Sequence, residues 1–195
     1  MTLVSAKAVV QKCLLVSFSA FLIWQSIQLV CNIAEVTHAT TLGDILAQAI
    51  LLNLFITGIF LVGYALPLHR LLPDSYYRSV GSKAFSSACS ILKMEIFRKM
   101  LRLTFWGPRN NRKHFFNGRK SGLAQFEMNT RISESSHVLA FASITTVSFY
   151  LAAVANINLA IIATLINVVF NFYPAMLQRY HRSRLQIMMV QAYQR

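Results

Sequence analysis

The chain has 195 residues, 55% of them hydrophobic and 13% charged, with 19 Lys and Arg against 6 Asp and Glu for a net charge of +13. A soluble domain carries about 25% charged residues, so the composition rules out a disordered chain, a collagen-like repeat and, with three cysteines, a disulfide scaffold. It also disfavours a basic nucleic-acid module, whose charges would share one soluble face, and leaves an integral membrane protein.

In chain order, Lys7 and Lys12 precede a run from Cys13 to Ala34 that holds no charged residue for 22 positions. It is too long for a signal peptide and lacks a small-residue cleavage pattern, so an uncleaved helix is expected over 12–34. Ile45 to Leu68 is the second run, 24 residues without charge, and reads as a span over 45–68.

Residues 69–136 are too many for a plain connection and are expected to have structure of their own. Within them Phe85, Cys89, Leu92, Ile96, Met100 and Leu103 recur at steps of three and four, with Arg98, Lys99 and Arg102 on the other side. That pattern is an amphipathic helix suited to the headgroup layer, where its bases meet anionic lipid. Farther on, Arg109, Arg112, Lys113, Arg119 and Lys120 are interleaved with Trp106, Phe115 and Phe116. Such a mix can hold the phosphates of a nucleotide-like donor or contact lipid, and the residues leave both readings open.

After Gly122 a helical pattern runs into the third span without a break. Glu127, Arg131, Glu134 and His137 sit near one face, where the first three make ordinary ion pairs and His137 falls at the membrane boundary. The run from Val138 to Leu177 is uncharged for 40 residues, enough for two spans, 137–155 and 159–178, turning at Asn156-Ile157-Asn158. A hairpin centred there sets His137 level with Leu177 to Arg179 and leaves Asn171 about 10 Å deeper. Asn167, Asn171, Gln178 and Arg182 form one stripe, and Pro174 frees the carbonyl of Phe170. These groups need partners in lipid, as helix–helix contacts or as a polar pocket beside Glu134 and His137.

All 19 basic residues lie in the N-terminal segment, the 69–136 loop or the tail 179–195. The fold expected is therefore an all-α membrane protein with four transmembrane helices in a single membrane domain, 1–195. Its basic, amphipathic-helical loop between the second and third helices and both termini are expected in the cytosol. A His one turn from a carboxylate suits a general base for a hydroxyl, and nearby Asn or Arg an oxyanion. No Ser or Cys stands in a nucleophile context, so direct transfer is expected; one Glu and one His fall short of a metal site.

Three blocks carry a resemblance. Leu72-Pro73-Asp74-Ser75-Tyr76-Tyr77-Arg78, then Thr130-Arg131 with Glu134 and His137, then Asn171-Phe172-Tyr173-Pro174 running to Gln178-Arg179-Tyr180-His181-Arg182-Ser183-Arg184-Leu185, resemble the glycosyl-4,4′-diaponeurosporenoate acyltransferase family in order and separation. His181, Val138 and Asn129 stand where that family usually has Asn, Trp and Glu. The resemblance implies acyl transfer to a sugar hydroxyl of a glycosylated carotenoid, as in staphyloxanthin-type pathways. Glu134 and His137 would be the acid/base pair, and Asn171, Gln178, Arg179, Tyr180 and Arg182 the facing wall, with Arg131 beside them. The expected co-substrate is an acyl thioester of coenzyme A or a carrier protein, with no bound cofactor. Expected partners are anionic membrane lipids and a lipid or glycolipid acceptor, with no nucleic acid, and the expected location is a bacterial inner membrane. A rival reading is a non-catalytic subunit of a larger membrane complex, with Asn167, Asn171 and the basic tail as assembly contacts.

Overall fold

The computed structural model describes residues 3–35, 41–78, 83–104, 122–154 and 156–193, and all regular structure among them is helical. The elements are α1 (Leu3–Glu35), α2 (Leu42–Ile59) continued by a 3-10 turn (Phe60–Tyr64), α3 (Asp74–Tyr77), α4 (Lys83–Ile91), α5 (Met94–Thr104), α6 (Leu123–Val154), α7 (Ile157–Asn167) and α8 (Tyr173–Tyr193). A π-helical turn (Val168–Phe172) joins α7 to α8. Four stretches, Ala6–Glu35, Leu42–Tyr64, Leu123–Val154 and Ile157–Met189, are long and apolar enough to cross a bilayer. The chain is a membrane protein, as its uncharged runs require.

The helix ends follow local chemistry. Thr41 caps α2 with a capping box, its Oγ1 accepting from the Asp44 N–H at 3.2 Å while Asp44 Oδ2 accepts from the Thr41 N–H at 3.0 Å. At the turn expected between the last two spans, Asn156 Oδ1 accepts from the N–H groups of Asn158 and Leu159 and starts α7. The π-turn precedes Pro174, whose missing N–H and ring displace the carbonyl of Phe170; widening the turn accommodates both.

The chain packs as two units, Met1–Leu68 with Ser135–Phe172, and His69–Glu134 with Tyr173–Arg195. In the first, α1 buries Ser19, Leu22, Ser26 and Ile33, one stripe at helical spacing. Ile45, Ala49, Leu52 and Ile56 of α2 join Ile144, Leu151, Leu159 and Ala163 in its core. Small residues there let helices approach closely, as lipid-embedded helices require for want of a hydrophobic drive. Ser19 Oγ donates to the Ile59 carbonyl at 2.9 Å, and Asn53 Nδ2 donates to the carbonyls of Ala49 at 2.9 Å and Ala163 at 3.1 Å.

In the second unit, Cys89, Met94 and Leu177 are buried among Phe85, Leu92, Phe97, Leu101, Tyr173, Met176 and Tyr180. Here one expectation is corrected. The apolar repeat 85–103 does not make one continuous stripe, because Lys93, with φ of 48°, separates α4 from α5. The break changes the phase: Met94, Phe97 and Leu101 point into the cluster, while Ile96, Met100 and Leu103 are exposed.

Candidate active site

In the first unit, His137, Asn171, Asn167, Thr57 and Thr145 form one chain of hydrogen bonds. His137, half-buried on α6, has Nδ1 3.1 Å from Asn171 Oδ1 on the π-turn. Asn171 Nδ2 donates to Asn167 Oδ1 and to Thr57 Oγ1, each at 3.0 Å. Asn167 Nδ2 donates to the Phe141 carbonyl at 3.0 Å and to Thr145 Oγ1 at 3.2 Å. Asn167 and Asn171 are fully buried, so these bonds stand in for the water that lipid cannot supply.

The hairpin register therefore differs from the one expected: Asn171 meets His137 directly instead of lying about 10 Å away. The second helix starts at its Asn156 cap, earlier than a turn centred on Ile157 would have it, which brings lower-numbered residues of that helix to the level of His137.

The second unit holds an ion-pair network. Glu134, 1% exposed, accepts from Arg179 Nε at 2.9 Å and is ion-paired through its other oxygen to Arg182, which has no exposed surface. Arg182 Nε and Gln186 Nε2 both donate to the Tyr77 carbonyl, at 3.0 and 3.1 Å. Arg131 bridges Asp74 at 2.8 Å and Glu127 at 2.9 Å. The guanidinium of Arg179 lies 4.1 Å from the centre of the Tyr76 ring, and those of Arg131 and Arg182 lie 5.1 and 5.0 Å from that of Tyr77. Three carboxylates thus meet three guanidiniums, and α3 is tied to α6 and α8. Burial, then the negative charge of Glu134, pushes the Tyr76 phenol up to about 12, and burial also raises the Cys89 thiol.

The residues singled out in the sequence are thus distributed. Among the described residues Glu134 is engaged by Arg179 and Arg182, and the hydrogen-bond partner of His137 is Asn171. Arg131 keeps the expected pair with Glu127 but takes Asp74 as its second acid. Tyr180 lies between Arg98 and Arg184, each 5.9 Å from its ring centre, and Gln178 is half-buried. Arg109, Arg112, Lys113, Arg119 and Lys120 lie outside the described residues. No group of three His, Cys, Asp or Glu side chains able to hold a metal ion occurs among the described residues.

Thr57, Thr145, Tyr76, Tyr77 and Gln186 take part without having been singled out. Thr57 stands 114 positions from Asn171, and nothing local in α2 marks it. Tyr76 and Tyr77 belong to the block quoted for the resemblance, but their ring-to-cation contacts have no sequence signal beyond aromatic type.

No curated protein and no solved structure matches the chain. The family model described as glycosyl-4,4′-diaponeurosporenoate acyltransferase matches residues 73–191. That stretch is more than half of the chain and contains α3, Glu134, His137, Asn171 and the arginines of α8. The chain belongs to the glycosyl-4,4′-diaponeurosporenoate acyltransferase family.

Proposed function

We propose that the protein is a membrane acyltransferase that moves a fatty acyl group from a cytosolic thioester donor to a hydroxyl of a glycosylated carotenoid or related glycolipid. The observation that carries this reading is the imidazole of His137, inside the family-matched segment and held by the buried amide of Asn171. His137 takes the hydroxyl proton, and the oxygen attacks the thioester carbonyl carbon to form the new C–O bond. The C–S bond breaks, and the departing thiolate receives the proton from the imidazolium. No covalent acyl-enzyme is needed.

Glu134 serves this scheme as the charge that holds Arg179 and Arg182, and so α3, in place. The basic residues from Arg109 to Lys120 attract the anionic carrier of the thioester, coenzyme A or a carrier protein. No bound cofactor takes part. The distribution of all 19 basic residues supports a cytosolic position for both termini and the 69–136 loop, in a bacterial inner membrane. On α5, Ile96, Met100 and Leu103 are exposed with Lys99 beside them, which suits a helix lying in an anionic leaflet.

The test compares lipid extracts by mass spectrometry from cells making the wild type and His137→Ala at equal protein level. An acylated glycolipid present with the first and absent with the second is expected. Identical profiles, with both proteins in the membrane, would overturn the catalytic reading and favour a non-catalytic subunit of a larger complex.

A further inference from the structure

An imidazole acts as a base only through a nitrogen that carries no hydrogen, and which nitrogen that is depends on what the other one bonds. The neutral ring in water prefers its hydrogen on Nε2, which would leave Nδ1 as the basic atom. In this protein Nδ1 faces a buried side-chain amide, whose two ends are a donor and an acceptor of nearly the same shape. The orientation of that amide decides the matter, and the chain of bonds beyond it fixes the orientation.

The Phe141 carbonyl is the fixed point, because a carbonyl only accepts. The group of Asn167 that faces it must be the NH2, at 3.0 Å. Asn167 therefore turns its oxygen to Asn171, and what meets that oxygen must be the NH2 of Asn171, at 3.0 Å. Asn171 is left with its oxygen toward His137, 3.1 Å from Nδ1, and an oxygen there needs a hydrogen on Nδ1. Thr57, a hydroxyl within reach of both ends of this amide, accepts from the NH2 at 3.0 Å or donates to the oxygen at 3.2 Å, and so fits this polarity without fixing it. Reversing either amide would set two oxygens, or two NH2 groups, against each other inside fully buried surroundings.

We infer that the Phe141 carbonyl, Asn167 and Asn171 form a one-way hydrogen-bond chain that holds His137 in the tautomer with its hydrogen on Nδ1 and leaves Nε2 bare as the proton-accepting atom. Among the described residues the ring's hydrogen-bond partner is Asn171, at Nδ1, which leaves Nε2 to meet an acceptor hydroxyl. Asn167 never touches the ring; it is a positioning residue acting through Asn171. After Nε2 takes a proton the Nδ1 hydrogen stays where it was, so the amide chain need not rearrange during turnover. This rests on the reading of His137 as the base, but the tautomer can be observed without any turnover.

The protein labelled with nitrogen-15 in its histidine rings, in lipid nanodiscs, is observed by NMR at a pH where His137 is neutral. Its resonances are identified by their loss in His137→Gln. The expected wild-type spectrum has a bare-nitrogen shift at Nε2 and a hydrogen-bearing one at Nδ1. Asn167→Ala frees the amide of Asn171 to turn, and the two shifts are expected to move toward the opposite tautomer, with acyl transfer falling several-fold. A wild-type ring with its hydrogen on Nε2 overturns the inference, whether or not Asn167→Ala folds. So does a bare Nε2 that is indifferent to Asn167→Ala. A bare Nε2 in a protein that makes no acylated product would leave the hydrogen-bond chain standing and overturn the acyltransferase reading instead.

Discussion

Arg182 is ion-paired to Glu134 with none of its own surface exposed, although the resemblance assigns Glu134 to the acid/base pair. A carboxylate this dry is stable only against strong, hydrogen-bonding cations, and Glu134 has two.

Removing one partner leaves a buried charge uncompensated. Arg182→Ala is therefore expected to destabilise the protein by about 3–5 kcal/mol. Thermal unfolding in detergent should show the loss as a clearly lowered midpoint. Arg98→Ala, whose pair with Glu95 is largely exposed on the acid side, should move it less.

His137→Gln preserves size and a polar contact to Asn171 but cannot accept a proton from a hydroxyl. Acyl transfer is expected to fall by roughly 10²–10⁴-fold, with the unfolding midpoint nearly unchanged. A variant that turned over at the wild-type rate would remove His137 from the chemistry.

Alkaline pH should expose the environment of Tyr76. Its phenol is pushed up to about 12 in the folded protein, above the ordinary tyrosine value of about 10, so the folded state holds this proton more tightly than the unfolded chain does. The resulting stability is fully present below pH 10 and is lost as pH climbs toward about 12. Unfolding midpoints measured along that interval should drop, and less steeply in Tyr76→Phe.

The two faces of α5 give a positional test. A fluorophore on a cysteine at Leu103, which is 85% exposed, is expected to be quenched by nitroxide lipids in anionic nanodiscs. One at Leu101, packed in the cluster with Phe97, should be shielded. Equal quenching at both positions would put α5 away from the leaflet.

The spans and the Asn156 turn were legible because both depend on local quantities, namely uncharged length and a capping side chain. The phase change at Lys93 was not. The repeat from Phe85 to Leu103 satisfies helical spacing straight through Leu92-Lys93-Met94, and one left-handed residue undoes it without a compositional mark. The partners of Glu134 were illegible for a different reason. Adjacency on α6 suggests His137, whereas desolvation selects guanidiniums 45 and more positions along the chain. The match of Asn171 to His137 needed the hairpin register, which the start of the second helix at the Asn156 cap shifts.

The bond from Asn53 to the Ala163 carbonyl spans 110 positions, so α2 is made long before the helix that supplies this acceptor. At ordinary synthesis rates of roughly 5–20 residues per second, α2 waits on the order of 5–20 s in the bilayer before α7 emerges. During that interval Asn53 can fall back on the Ala49 carbonyl one turn behind it, while Thr57 lacks Asn171. The last hairpin thus acts as the clasp of biosynthesis: until it is made, the inserted pair of helices lacks the Ala163 carbonyl for Asn53 and the Asn171 amide for Thr57.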